Sequence, residues 1–151
     1  MKQVVSVLAL MIGLSAFTAS AKPSMGSTMQ TKQVVTAFFK MAFEDRKPVE
    51  AAEKYISSTQ YIQHNPQGND GRESFIKGFA AYVEGSEYRC EMKRVIAEGD
   101  LAVVHNLCKE KPADRGEAVV DIFRVKQGKI VEHCDVTQTI PEKANNTNTM
   151  F

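Results

Sequence analysis

Two aspartates and a histidine near the carboxyl end, Asp121, His133 and Asp135, have the types and spacing for acid/base chemistry. His133 and Asp135 are two apart, so on an extended strand they share a face. Asp121 sits in the preceding alternating run, with Val119, Phe123 and Val125 on its side. Two carboxylates and an imidazole among apolar side chains cost free energy unless they are paired, hydrated or used. Brought together, one can orient or charge-balance another, which is how a site separates a base from an acid. A plainer reading is a cross-strand ion pair that fixes strand register, worth about 0.2–1 kcal/mol. That explains a pair better than three ionisable groups on one face. No serine or cysteine has a nucleophile-elbow setting and no glycine-rich phosphate loop is present, which disfavours acyl-enzyme and nucleotide chemistry.

The element that must position these residues is a hairpin, Asp121 to Val136, reversing at Gln127-Gly128. A three-residue connection, Lys126 to Gly128, sets Val125 against Lys129 and Asp121 against His133. Further strands are predicted at Glu87 to Ala97 and Leu101 to Lys109, with Glu117 to Val125 and Lys129 to Gln138 forming the hairpin. Upstream, apolar spacing predicts a helix from Met29 to Glu44, and Pro48 opens a shorter one over Val49 to Ile56. A short strand, Thr59 to His64, leads into Asn65-Pro66. A third helix runs from Gly71 to about Val83, with Asp70 and Glu73 in capping positions. Helices followed by a run of antiparallel strands make an α+β arrangement, in which a bent sheet wrapped around the first helix leaves a pocket.

Three histidines are present, His64, His105 and His133, with neither HxH nor HExxH spacing, so no metal site is expected. His64 ends a strand where a loop can aim it inward, although local loop capping is as good a reading. His105 shares the Leu101, Val103 and Leu107 face, where a satisfied core or edge histidine is the better reading. His64, Asn65, His105 and Phe123 are carried as candidate substrate contacts. With a three-residue connection at Glu98 to Asp100, Ala97 faces Leu101 and Cys90 falls opposite Cys108, which predicts a disulfide. Two small buried thiols are nearly as good an account. Cys134 alternates onto the face opposite His133 and Asp135, where packing is expected.

The chain has 151 residues, enough for one domain with a real core. Lys2, the apolar run from Val4 to Phe17, and Ala19-Ser20-Ala21 come in the order of a secretory signal. Residues 1–21 are read as that signal, 22–28 as a loose leader, 29–140 as the folded domain and 141–151 as a tail. Cleavage after Ala21 would deliver a periplasmic or secreted protein with no membrane span. Without Lys2, basic and acidic residues balance, and no basic stripe exists, so nucleic acid is an unexpected partner.

With these residues in view, the chain resembles the SnoaL-like polyketide cyclases of the nuclear-transport-factor-2-like superfamily, in particular relatives described as predicted aldol-condensation enzymes. The resemblance rests on Tyr61-Ile62-Gln63-His64-Asn65-Pro66, Asp70 to Phe75, Glu98 to Leu101, Asp121 to Gln138 and the closing Met150-Phe151. It implies a cystatin-like cone, a curved antiparallel sheet around helices, and a homodimer. It also implies acid/base catalysis without metal or organic cofactor: a proton is taken from carbon beside a carbonyl, and the enolate attacks a second carbonyl. Asp135 is then the leading base, with Asp121 and His133 beside it and His64 at the pocket mouth. The implied substrate is a small hydrophobic carbonyl compound. The alternative is a non-catalytic ligand-binding or dimerisation module on the same fold. Relatives commonly carry Trp where this chain has Cys134, and export is unusual for polyketide tailoring.

Overall fold

The computed structural model describes residues 25–151. The expected signal, residues 1–21, lies outside them. In chain order the elements are α1 (Met25–Phe39), widening into a π-helical turn at Lys40–Glu44, then α2 (Pro48–Tyr55) and β1 (Ile62–Gln63). A third helical stretch follows as α3 (Arg72–Phe75), a π-turn over Ile76–Ala80, and α4 (Ala81–Gly85). The rest is β2 (Arg89–Glu98), β3 (Leu101–Lys109), β4 (Glu117–Lys126) and β5 (Lys129–Thr139). The sheet order is β1-β5-β4-β3-β2. Among the described residues, no helix is long and apolar enough to cross a membrane.

Helix α1 begins inside the stretch expected to be a loose leader. Gly99 N–H donates to Thr28 Oγ1 at 2.9 Å, and Thr31 Oγ1 donates to the Gly99 carbonyl at 2.8 Å. These hydroxyls fasten the first turns of α1 to the β2–β3 reversal, so the helix from Met25 is held by tertiary contact.

β2 to β5 form antiparallel pairs, and both of their tight turns are one residue shorter than expected. Lys126 pairs with Lys129 across Gln127 (φ 51°) and Gly128 (φ 74°), the two positive φ values of a type I′ reversal. Val131 is then left unpaired between Ile130 and Glu132, a β-bulge that shifts the register once more. Asp121 therefore pairs with Asp135, not with His133, which pairs with Phe123. Two one-residue shifts restore the parity of the faces, so Asp121, His133 and Asp135 still share one side. The same compensation occurs between β2 and β3. Ala97 pairs with Ala102 instead of Leu101, Lys93 is bulged, and Cys90 comes back opposite Cys108, to which it is joined by a disulfide.

β1 is shorter than expected and departs from the antiparallel pattern. It joins the edge of β5 in parallel, Ile62 beside Glu132 and Gln63 beside His133, and His64 N–H donates to the His133 carbonyl at 2.9 Å.

The core lies between α1 and the concave face of the sheet. Val35, Phe38 and Phe39 are buried there with Ala102, Val104, Phe123 and Ile130. Each large apolar side chain fully removed from water contributes about 1.5–3 kcal/mol. Phe38 meets Phe123 edge-on at 5.8 Å, directly under the candidate site. Across the helical layer, the Arg46 guanidinium donates to the carbonyls of Val83 (2.7 Å), Ser86 (2.8 Å) and Tyr88 (2.8 Å), tying α1's end to the α4–β2 connection. The tail returns to the sheet's outer face, where the Phe151 ring stacks on His105 at 5.1 Å and the Lys93 ammonium lies 5.5 Å from its centroid.

Candidate active site

The concave face of β4 and β5 carries Asp121, His133 and Asp135 into a cavity of about 430 Å³, walled by Phe38, Phe75, Phe79 and Tyr88. His133 Nε2 lies 2.9 Å from Asp121 Oδ1, and the two side chains are only 12% and 14% exposed. The other oxygen of Asp121 accepts from the Nδ2 of fully buried Asn106 at 2.6 Å. Both oxygens of Asp135 accept from Asn65 Nδ2, at 2.8 and 2.9 Å. The imidazole stacks on Phe123, with ring centroids 4.9 Å apart. The carboxylates are thus treated differently. Among the described residues, Asp121 is held by two groups in the wall, whereas Asp135 meets a single amide from the loop after β1.

The segment around β1 supplies two residues absent from the candidates read in the sequence, Tyr61 and Gln63. With Asn65 they alternate along the chain, and all three line the cavity. Their period of two was the signal available in the sequence. Tyr61 is 5% exposed, and Gln63 Nε2 donates to its hydroxyl at 3.4 Å. Burial, then the charges of Asp121 and Asp135, push the Tyr61 hydroxyl well above the usual phenol range. It remains a neutral O–H donor beside two carboxylates.

Sequence placed four residues as ligand contacts, and the structure divides them. Asn65 and Phe123 line the cavity. His64 does not. Its side chain is half exposed and bonds Glu132 Oε1 at 3.0 Å, because alternation sends it outward once Gln63 and Asn65 point in. Glu132 in turn accepts from Arg124 Nε at 2.6 Å, so His64 belongs to an outer-edge ionic network. His105 is also outside the cavity, on the sheet's outer face under Phe151. The bridged Cys90 and Cys108 form part of the cavity wall, with Asn106 Oδ1 2.7 Å from Cys108 Sγ. Cys134 is a free, partly buried thiol whose titration burial pushes up.

Asp121, His133 and Asp135 bring one ligand-type atom each within 4.8 Å of one another, a spacing that a cation can bridge. Their lone pairs already face N–H donors from Asn106, Asn65 and the imidazole itself. The donor set suits proton chemistry better than coordination.

A SnoaL-like domain model matches residues 27–133. The chain belongs to the SnoaL-like family. Solved structures similar to this SnoaL-like chain share its fold. An NTF2-like protein of unknown function from Mesorhizobium loti is 20% identical, with 74% of this chain and 93% of that one covered and a TM-score of 0.62. A proposed ketosteroid isomerase from Kribbella flavida is 17% identical, with 80% and 86% covered and a TM-score of 0.62. A proposed SnoaL-like polyketide cyclase from Jannaschia sp. CCS1 is 18% identical, with 78% and 91% covered and a TM-score of 0.61. A comparison with curated proteins finds no match. The SnoaL-like match ends at His133 and does not reach Asp135.

Proposed function

We propose that this protein is an acid/base catalyst of carbon-acid chemistry that works without a cofactor, on a small hydrophobic carbonyl compound. The observation that carries the reading is the unequal treatment of two facing carboxylates at the floor of an aromatic cavity. Cavity size supports it, since about 430 Å³ lies within the usual range for small-molecule sites. The similar structures described as a proposed isomerase and a proposed cyclase support it at the level of fold.

In this reading Asp135 takes a proton from the carbon beside a carbonyl, and the C–H electrons move onto the carbonyl oxygen as an enolate. Tyr61 donates its O–H to that oxygen. His64 points away from the cavity, and both nitrogens of His133 are engaged by Asp121 and Gln63. The enolate carbon then attacks a second carbonyl of the same substrate, whose oxygen takes the proton from Asp135, or, where a double bond is conjugated with the enolate, the far carbon takes that proton. The first outcome is aldol-type cyclisation, the second isomerisation.

The protein is further proposed to be exported, with residues 1–21 removed, and to work as a homodimer through the sheet's outer face. The Cys90–Cys108 disulfide supports an oxidising compartment. Ile96 and Val136, exposed at 64% and 69%, support an outer face that meets another surface.

A screen of small cyclic and aryl ketones for protein-dependent uptake of deuterium from heavy water tests the chemistry. Uptake beside the carbonyl is expected. A compound that binds in the cavity with no uptake across the series would favour the binding-module reading.

A further inference from the structure

We infer that Gln63 is a positioning residue: it fixes a hydrogen on His133 Nδ1, so that a second hydrogen lies between Nε2 and Asp121, the pair is neutral overall and Asp135 stands as the open base. The two ends of a glutamine amide are exchangeable by a flip, so the assignment needs a partner whose role is fixed. The backbone N–H of Asn65 is such a partner. It can only donate, and it lies 2.9 Å from Gln63 Oε1. The same oxygen is 3.0 Å from His133 Nδ1. That contact is a hydrogen bond only if Nδ1 carries hydrogen.

The consequence falls on the other ring nitrogen. Nε2 faces Asp121 Oδ1 at 2.9 Å. In a neutral ring protonated at Nδ1, Nε2 bears a lone pair, which cannot sit at that distance from a bare carboxylate oxygen. One hydrogen therefore lies between them, on the nitrogen or on the oxygen. Either way the pair is neutral overall, as imidazolium with carboxylate or as imidazole with carboxylic acid. Among the described residues Asp135 has no such partner, and its oxygens meet only the Asn65 amide.

Gln63 is itself held in place from several directions. β1 lays it beside His133, and its backbone N–H donates to Asp70 Oδ1 at 2.7 Å. The loop passes so close that a Cβ on Gly68 would come within 2.8 Å of Gln63 Cγ. The side chain is clamped between that loop and the imidazole, which is how an orienting group is supported.

The placement of hydrogen does not depend on what the protein catalyses. Its kinetic meaning rests on the reading of Asp135 as base. The test is a long-range 1H–15N correlation spectrum of the imidazoles in the full-length protein, with His64→Gln and His105→Gln variants to isolate His133. A protonated-type shift is expected at His133 Nδ1 in the wild type, whether the second hydrogen rests on Nε2 or on Asp121. It should persist in Gln63→Glu, which keeps the acceptor. In Gln63→Leu the Nδ1 resonance should move to an unprotonated-type shift, leaving hydrogen only on the nitrogen facing Asp121. An unprotonated Nδ1 in the wild type overturns the proposal, even if the leucine variant does not fold. A spectrum unchanged by Gln63→Leu also overturns it. The expected spectra without deuterium uptake by any ketone would sink the carbon-acid reading and leave the role of Gln63 standing.

Discussion

Asn65 reaches both carboxylate oxygens of Asp135, at 2.8 and 2.9 Å, although 70 positions separate the two residues in the chain. The contact exists because β1 adds to the edge of β5 in parallel, which carries the loop after it over the cavity floor. Asn65→Ala removes the partner of a partly buried carboxylate, and hydrogen bonds to charged groups contribute about 1.5–3 kcal/mol. We expect a loss of stability near the lower end, about 1.5 kcal/mol in urea unfolding, together with slower turnover.

Tyr61→Phe takes away one hydroxyl and leaves the ring that packs on Phe75, at 6.3 Å. If the hydroxyl holds the enolate oxygen, kcat should fall by about 10²–10³, the usual cost of one such donor, with a smaller change in KM. Steady-state kinetics on any substrate found in the ketone screen provide the check.

The bridge between Cys90 and Cys108 closes a loop with a sequence separation of 18. Cross-links of that span stabilise by about 3 kcal/mol, chiefly by restricting the unfolded chain. Unfolding with and without reductant, beside a Cys90→Ser/Cys108→Ser double variant, should show a loss of that size in both comparisons.

How much of this was legible in the sequence depends on the length scale of each feature. Alternation in β3 and β4 and the spacing of Val35, Phe38 and Phe39 are local, and they gave the strands, the first helix and the inward face of Asp121, His133 and Asp135. Register was not local. The local pattern predicts three-residue connections at both reversals, whereas each is a two-residue turn with a bulge in one of its strands, at Val131 and at Lys93. A bulge answers to how a strand curls around its core, and nothing in the neighbouring residue types announces it. The shifts come in twos, so the faces were right although Asp121 had been given the wrong partner. The parallel docking of β1 is equally hidden, being a pairing across about seventy residues, and with it goes the part played by Gln63.

Glu132 offers a pH test of the outer edge. The Arg124 guanidinium, at 2.6 Å, holds its carboxyl below the ordinary range, with His64 adding to the effect and burial opposing it. A carboxyl depressed in the folded state stabilises above its unfolded value, near 4.5, and loses that contribution as pH falls through the folded value. Both side chains are about 30% exposed, so the contribution is at most about 1 kcal/mol. Glu132→Gln should be less stable than wild type at neutral pH, and the gap should be narrower at about pH 3. Urea unfolding at the two pH values measures it.

The central claim is that Asp135 removes a proton from carbon. Its most direct measurement is deuterium uptake by a responsive ketone, compared between the wild type and Asp135→Asn, with the circular dichroism of both recorded. Asparagine matches the carboxylate in shape but cannot accept the proton, and positioned general bases contribute about 10²–10⁴-fold. Uptake should fall by that order while the fold is retained. Exchange at the wild-type rate in a folded Asp135→Asn variant would contradict the account.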